Sequence, residues 1–147
     1  MDKVIASKKF VVDASLERVW GLMGRVIINN LRGLEQMQMI DENNFSALLR
    51  VKMAFIGIPM RLRGQVVGGS VGALAVLLKA KGMCGMVKLD QKVAFTATQI
   101  SEGKTEISCE SVAQGLNFLL SIFIMGMVKS MAKDTLDRIE KRLKQIA

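Results

Sequence analysis

The chain has 147 residues, of which 50% are hydrophobic, and its 21 Lys and Arg against 13 Asp and Glu give a formal net charge of +8. It contains no histidine, which excludes a Ser-His-Asp triad, thiolate–imidazole catalysis and histidine-ligated metals. The length suits one domain with a substantial core, so we expect a single domain over residues 1–147. The charge favours anionic partners, but the lack of Tyr and of any nucleic-acid motif argues against nucleic acid.

The N-terminal residues predict a strand followed by a helix. Residues 3–12 have the composition of a strand, and the polar residues at 13–15 end it. Ser15 is a suitable N-cap for a helix, because its side chain can accept from the free amides of the first turn. Leu16, Val19, Trp20 and Met23 follow at helical spacing. The chain then breaks at 29–33, which leaves room for a short helix or a helix pair.

Six further strands are predicted between residues 35 and 114, because apolar and polar side chains alternate there between turn signals. The single proline, Pro59, indicates a turn together with Gly57 and Ile58. The other turns are predicted at residues 41–44, 68–72, 82–86 and 101–104.

The last third of the chain predicts one long helix, from Leu116 to Ile146, with Asn117 as its N-cap. Residues 118–128 are apolar on every helical face, so protein, an apolar ligand or lipid must cover them. From Lys129 onward the helix becomes amphipathic. The apolar part is shorter than the ~20 residues of a membrane-spanning helix, so we do not expect a span.

The order of these elements predicts an α+β fold with the long helix on one face of an antiparallel sheet. Several stretches also resemble the START-like or SRPBCC superfamily: residues 13–20 (DASLERVW), residues 31–35 (LRGLE), the strand meander and the terminal helix. The resemblance implies the helix-grip fold of the major birch pollen allergen. In that fold a curved antiparallel sheet of about seven strands wraps around a long C-terminal helix, with a short helix pair after the first strand.

Within the superfamily the chain is most similar to CoxG-like proteins, which are accessory proteins of carbon monoxide dehydrogenase. Three stretches carry this closer match: residues 51–57 leading to 60–64, residues 81–82 with the glycine-rich turn after them, and residues 114–116. The resemblance implies a protein that attaches a molybdenum hydroxylase to the membrane or takes part in quinone-linked electron transfer.

The helix-grip fold implies an apolar cavity between the sheet and the terminal helix, and eleven methionines suit such a pocket because their thioether side chains are flexible. We expect these residues to line it: Met23, Met37, Met39, Leu49, Val51, Met53, Leu62, Val93, Phe95, Phe118, Ile122 and Met125. We expect these residues to contact a membrane or a partner protein: Met83, Met86, Phe123 and Met127.

The expected function is non-catalytic binding of a lipid or quinone. The inward strand faces offer Gln91, Cys109 and Ser111 as their polar groups, and none is a convincing general acid or base at neutral pH. No catalytic residue, metal or cofactor is assigned. Two alternatives stay open, a polyketide cyclase-like enzyme and a ligand-free protein-interaction module.

The expected partners are a hydrophobic small molecule, an anionic membrane surface and a molybdenum hydroxylase. The two cysteines, Cys84 and Cys109, do not form a C-x-x-C motif, and no signal sequence is recognisable. These features indicate a reduced, cytoplasmic protein, which the resemblance would place at the inner face of the membrane.

Overall fold

Seven strands and two helices make up the structure, a computed structural model that describes residues 3–31, 34–53, 56–82, 87–116 and 118–146. In chain order the elements are β1 (Lys3–Val12), α1 (Leu16–Asn29), β2 (Leu34–Met39), β3 (Asn44–Met53), β4 (Ile56–Ser70), β5 (Ala73–Gly82), β6 (Val87–Ser101), β7 (Lys104–Leu116) and α2 (Phe118–Ile146).

The strands form a single antiparallel sheet in the order β1-β7-β6-β5-β4-β3-β2. Strands β2 to β7 pair with their neighbours in sequence, and β1 completes the sheet beside β7. Glycines in the left-handed region, Gly72 (φ 100°) and Gly103 (φ 75°), occupy the tight turns after β4 and β6. The sheet, its α+β class and the long C-terminal helix confirm the fold predicted from the sequence.

Helix α1 is one continuous helix of 14 residues, so in the described residues between β1 and β2 the predicted helix pair is wrong. Its N-cap is Ser15 as expected, because the Ser15 hydroxyl accepts a hydrogen bond from the Arg18 amide at 3.3 Å. One unbroken apolar stripe, which includes Val19, Met23 and Ile27, is buried. Since this stripe continues through the whole segment, nothing in it ends the helix early.

The β3–β4 hairpin closes earlier than the sequence predicts. Met53 pairs with Ile56, and Pro59 lies inside β4 opposite Arg50, so the turn predicted around Pro59 is wrong. Among the described residues, the pairing of β5 with β4 begins at Met60.

Strand β2 forms one edge of the sheet and is irregular. Its pairing with β3 shifts between Glu35 and Gln38, and Gln36 has a positive φ of 52°. Leu34 and Met37 are partly buried, but Met39 is 52% exposed. The prediction that Met39 faces the cavity is wrong, because Met39 ends an edge strand and has its partner strand on one side only.

Helix α2 packs on the inner face of the sheet. Its buried stripe confirms the predicted amphipathic pattern and consists of Val128, Ala132, Leu136, Ile139 and Leu143. Lys8 on β1 contacts the carboxylates of Asp137 and Glu140 on α2, so an ion pair joins the helix to the edge of the sheet. Neither α2 nor any other helix of the described residues combines the length and the apolar character needed to cross a membrane.

Candidate ligand cavity

A cavity lies between α2 and the inner face of the sheet. Strands β2 to β7 and three successive turns of α2 contribute to its wall. It is lined by Leu31, Leu34, Leu49, Leu62, Leu78, Ala80, Leu89, Gln91, Val93, Ser111, Met127, Val128, Met131, Ala132, Thr135 and Leu136.

Two small side chains leave this space open. Ala80 on β5 is paired with Leu62 on β4, so a methyl group stands beside a leucine on the sheet side. Ala132 lies between Val128 and Leu136 on the helix side. Protein interiors are close-packed, and the sheet and helix here face each other with alanines where larger side chains would meet.

The cavity is narrow, with a volume of about 50 Å³. That volume holds a few water molecules, whereas pockets for drug-sized ligands have volumes of about 300–1,000 Å³. Met127 and Met131 stand on its helix side. Since methionine has an unbranched, flexible side chain, these two residues are the ones that can move aside at the lowest cost.

Among the described lining residues, three polar side chains interrupt the apolar wall: Gln91, Ser111 and Thr135. The amide of Gln91 donates a hydrogen bond from Nε2 to Ser111 Oγ at 2.6 Å. None of the three titrates near neutral pH, so they can orient a polar group of a ligand but cannot supply acid–base chemistry. In the part of the chain that the structure describes, no three His, Cys, Asp or Glu side chains are grouped as metal ligands would be.

The structure brings together part of the predicted lining. Leu49, Leu62 and Val93 contact the cavity. Met23 and Phe95 are buried, each 1% exposed, but they belong to the solid core and not to the cavity wall. Among the described residues, the lining on β6 ends at Val93. Helix α1 also contacts β6, and its first amide donates a hydrogen bond to Gln99 Oε1 at 3.4 Å.

Met127 was expected to contact a membrane or a partner, and it lines the cavity instead, one helical turn before Met131. Met37 is partly buried against the core outside the lining. The side chains of the remaining predicted residues lie outside the described residues: Val51, Met53, Met83, Met86, Phe118, Ile122, Phe123 and Met125.

Some lining residues were missed by the sequence predictions although a signal was present. Leu78 and Leu89 alternate with exposed residues on β5 and β6, and Met131 continues the helical spacing of Met127. Leu31 and Leu34 flank the break between α1 and β2, where no periodicity indicates the direction of a side chain.

Charged groups between β1 and α2 are paired with one another. The hydrogen bonds that Lys8 donates to Asp137 and Glu140 raise the pKa of Lys8. Burial raises the pKa of Glu140, but hydrogen bonds from Lys144 and Lys8 outweigh it and leave that pKa below its ordinary value. Burial raises the pKa of the Cys109 thiol to about 11, so this thiol stays protonated and unreactive at neutral pH.

No family model matches the chain, and no curated protein matches it, but solved structures do. A conserved protein from Geobacillus kaustophilus superposes with a TM-score of 0.68 at 16% identity, over 95% of this chain and 94% of that one. A START superfamily protein from Mycobacterium smegmatis gives 0.61 at 13% identity, with the same coverage of both chains. The chain has the helix-grip fold.

An enzyme also shares this helix-grip fold. Truncated norcoclaurine synthase from Thalictrum flavum superposes with a TM-score of 0.62 at 12% identity, over 97% of this chain and 94% of that one. Because all three identities are low, these likenesses establish the fold and leave the activity to be argued from the cavity.

Proposed function

We propose that this protein binds a hydrophobic small molecule, of the lipid or quinone type, in the cavity between α2 and the sheet. The observation that carries the proposal is the composition of the wall, in which all but three of the described lining side chains are apolar. The helix-grip fold, which the chain shares with a START superfamily protein, supports it because that fold implies an apolar cavity at this place. A wall of this kind selects a ligand by apolar area and shape.

Binding would be driven by the removal of apolar surface from water. A ligand that buries ~400 Å² of apolar surface gains ~10 kcal/mol before other terms, and immobilisation then takes back several kcal/mol. The wall must also widen, because the present volume of about 50 Å³ is too small for such a molecule. Rotation of the Met127 and Met131 side chains is the cheapest way to widen it.

We further propose that the protein is not an enzyme. Gln91, Ser111 and Thr135 are the polar side chains that the described residues contribute to the wall, and general acid–base catalysis needs a group whose pKa lies near the working pH. The second candidate is a polyketide cyclase-like enzyme, which the fold shared with norcoclaurine synthase favours. A third is an interaction module without a ligand, which the small cavity favours.

The biological role we propose is that of a CoxG-like accessory protein that docks a molybdenum hydroxylase to the inner face of the membrane. The resemblance of residues 51–64 and 114–116 to that group supports it. So does the net charge of +8, because basic proteins are attracted to the anionic lipids of the cytoplasmic leaflet. A pull-down would test this role. We expect the immobilised protein to retain a molybdenum hydroxylase, and an excess of the free protein to abolish the retention.

The cavity itself is tested by native mass spectrometry of the purified protein, followed by organic extraction of any bound molecule. We expect a mass adduct that extraction identifies as a quinone, a fatty acid or another lipid. If the protein has the mass of the ligand-free chain, and this mass does not change after addition of quinones and fatty acids, the proposed carrier function is overturned and the interaction module is favoured. Turnover of a bound polyketide-like substrate would instead favour the enzyme.

A further inference from the structure

Five basic side chains form a cluster on the outer face of the sheet, opposite to the cavity. All five are exposed, and they lie on the neighbouring strands β4, β5 and β6. We call this cluster the basic ladder, and it consists of Arg61, Arg63, Lys79, Lys81 and Lys88.

The register of the sheet places like charges of the ladder directly opposite each other. Arg61 pairs with Lys81, Lys81 pairs with Lys88, and Arg63 pairs with Lys79. Directly opposed residues have Cβ atoms about 4.5–5.5 Å apart, so like charges in these positions destabilise a sheet. Three such pairs in one cluster are a cost that folding alone does not explain.

The described part of the chain does not neutralise the ladder. None of its five members takes part in an ion pair there. Among the described residues, Asp90, opposite Lys79, is the one acidic residue that pairs directly with a member of the ladder. Arg50 on the neighbouring strand behaves differently, because Glu35 binds its guanidinium at 2.8 Å. The excess positive charge is therefore local to the ladder and open to an external anion.

The composition of the ladder fits a lipid surface better than a protein or a nucleic acid. Protein interfaces are depleted in lysine and enriched in aromatic residues, and single-stranded nucleic acids are bound by stacking on aromatic rings. The ladder has three lysines and no aromatic member. Lysine is a flexible, strongly hydrated point charge, which suits a mobile layer of anionic head groups.

The ladder and the cavity occupy opposite faces of the same strand segments. Leu62 lines the cavity between Arg61 and Arg63, and Ala80 lines it between Lys79 and Lys81. We propose that the basic ladder docks the protein on an anionic lipid bilayer, with the cavity directly behind the docked face. This names the surface for the membrane role proposed above, and it does not depend on which molecule the cavity holds.

The test is flotation with vesicles of phosphatidylcholine that contain about 30% phosphatidylserine. The ladder variant is R61Q/K81Q/K88Q. Its matched control is R25Q/K141Q/R142Q, which removes the same charge from exposed positions on α1 and α2. We expect the ladder variant to lose vesicle affinity on the order of 100-fold and the control to lose less than about 5-fold.

Thermal unfolding serves as the second measurement, since the ladder variant relieves two like-charge pairs and should unfold at the wild-type temperature or above it. Equal losses in both triple variants would overturn the proposal in favour of net charge alone. The proposal would also be overturned if the wild-type protein did not bind the vesicles but bound heparin or single-stranded DNA through the ladder. Native mass spectrometry of the ladder variant, whose cavity is unchanged, shows whether it still carries a ligand. Loss of membrane binding can therefore be told apart from loss of the carrier function.

Discussion

Gln91 and Ser111 form a hydrogen bond across β6 and β7 within the cavity wall, in which Gln91 Nε2 donates to Ser111 Oγ over 2.6 Å. Ser111 is only 1% exposed, and Gln91 is partly buried. The two groups thus satisfy each other and keep a polar pair inside an apolar wall.

Removal of both members of this pair should cost less than the sum of the two single removals. We expect Ser111→Ala to lower the free energy of unfolding by about 2 kcal/mol, because the Gln91 amide is left without its partner. The double variant Gln91→Met/Ser111→Ala should lose less than the sum of the two single variants, by about 1 kcal/mol. Urea denaturation measures all three, with the exposed Ser7→Ala as control. Additive losses would contradict the coupling.

Filling the cavity should separate stability from ligand binding. Ala132→Leu places three extra carbons in the space beside Met131, and we expect it to raise the free energy of unfolding by about 1 kcal/mol. The same variant should retain less than about a tenth of the ligand that native mass spectrometry finds on the wild type. Ser130→Leu, two positions earlier and exposed, is the control and should bind normally. Normal binding by Ala132→Leu would place the ligand elsewhere.

Gly64 should not tolerate a side chain, because a Cβ atom there would lie 2.0 Å from Cζ of the fully buried Phe45 ring. We expect Gly64→Ala to destabilise the protein by about 3 kcal/mol through this overlap. Gly24→Ala in α1 is the opposite case, since nothing lies within 4 Å of its added Cβ. That variant should gain about 1 kcal/mol from helix propensity. Similar effects of the two substitutions in urea denaturation would disprove the packing of Phe45 on Gly64.

The contact of Lys8 with Glu140 predicts a pH-dependent stability. Burial alone would raise the pKa of Glu140, but hydrogen bonds from Lys144 and Lys8 lower it below its ordinary value. The carboxylate therefore stabilises the folded state above its unfolded pKa, and this stabilisation is lost as the pH falls through the folded pKa. We expect Lys8→Gln to cost about 1 kcal/mol at neutral pH and progressively less below about pH 4.

Lys9→Gln is the control for this measurement, because the Lys9 side chain is 67% exposed and lies 3.8 Å from Glu106. It should change stability by less than about 0.5 kcal/mol at any pH. A Lys8→Gln effect that stays constant from neutral to acidic pH would show that the lysine stabilises by packing and not by its charge.

The Cys109 thiol should react only when the protein unfolds. Burial raises its pKa to about 11, so in a Cys84→Ser background we expect no modification by a disulfide reagent near pH 8 until urea is added. The direction in which stability changes with pH also follows from this raised pKa. An unfolded thiol ionises near its ordinary pKa while the folded one does not, so stability should fall as the pH rises from about 9 toward 11. Cys109→Ala should remove that slope, and rapid labelling of the folded protein would contradict the burial.

The sequence predicted most of the fold because alternation and turn residues are local signals. The bounds of β1, the Ser15 cap and the inward faces of β6 and β7 all agree with the structure. The turn at Pro59 was predicted wrongly because proline usually interrupts a strand, whereas here Pro59 lies inside β4 and pairs with Arg50. Met39 was predicted wrongly because the exposure of a side chain on an edge strand depends on which other parts of the protein cover that edge, and the local sequence does not show this.

The cavity was harder to predict for a similar reason. Alternation shows which residues face inward, but it does not show where the inward face is left unfilled. Phe95 and Val93 share that face, yet Val93 lines the cavity and Phe95 belongs to the solid core. Ala80 and Ala132, which create the space, carry no pattern that marks them as lining residues.

The placement of β1 beside β7 has a consequence for biosynthesis. Strand β1 leaves the ribosome well before β7, its partner in the sheet, and Lys8 contacts Asp137 across 129 positions of sequence. Until β7 has been made, β1 has no partner strand. Its residues Phe10 and Val12, both buried in the finished protein, remain exposed to water. Such long-range pairing slows folding and exposes nascent chains to one another. We therefore expect newly made β1 to depend on chaperones until β7 and α2 have been made.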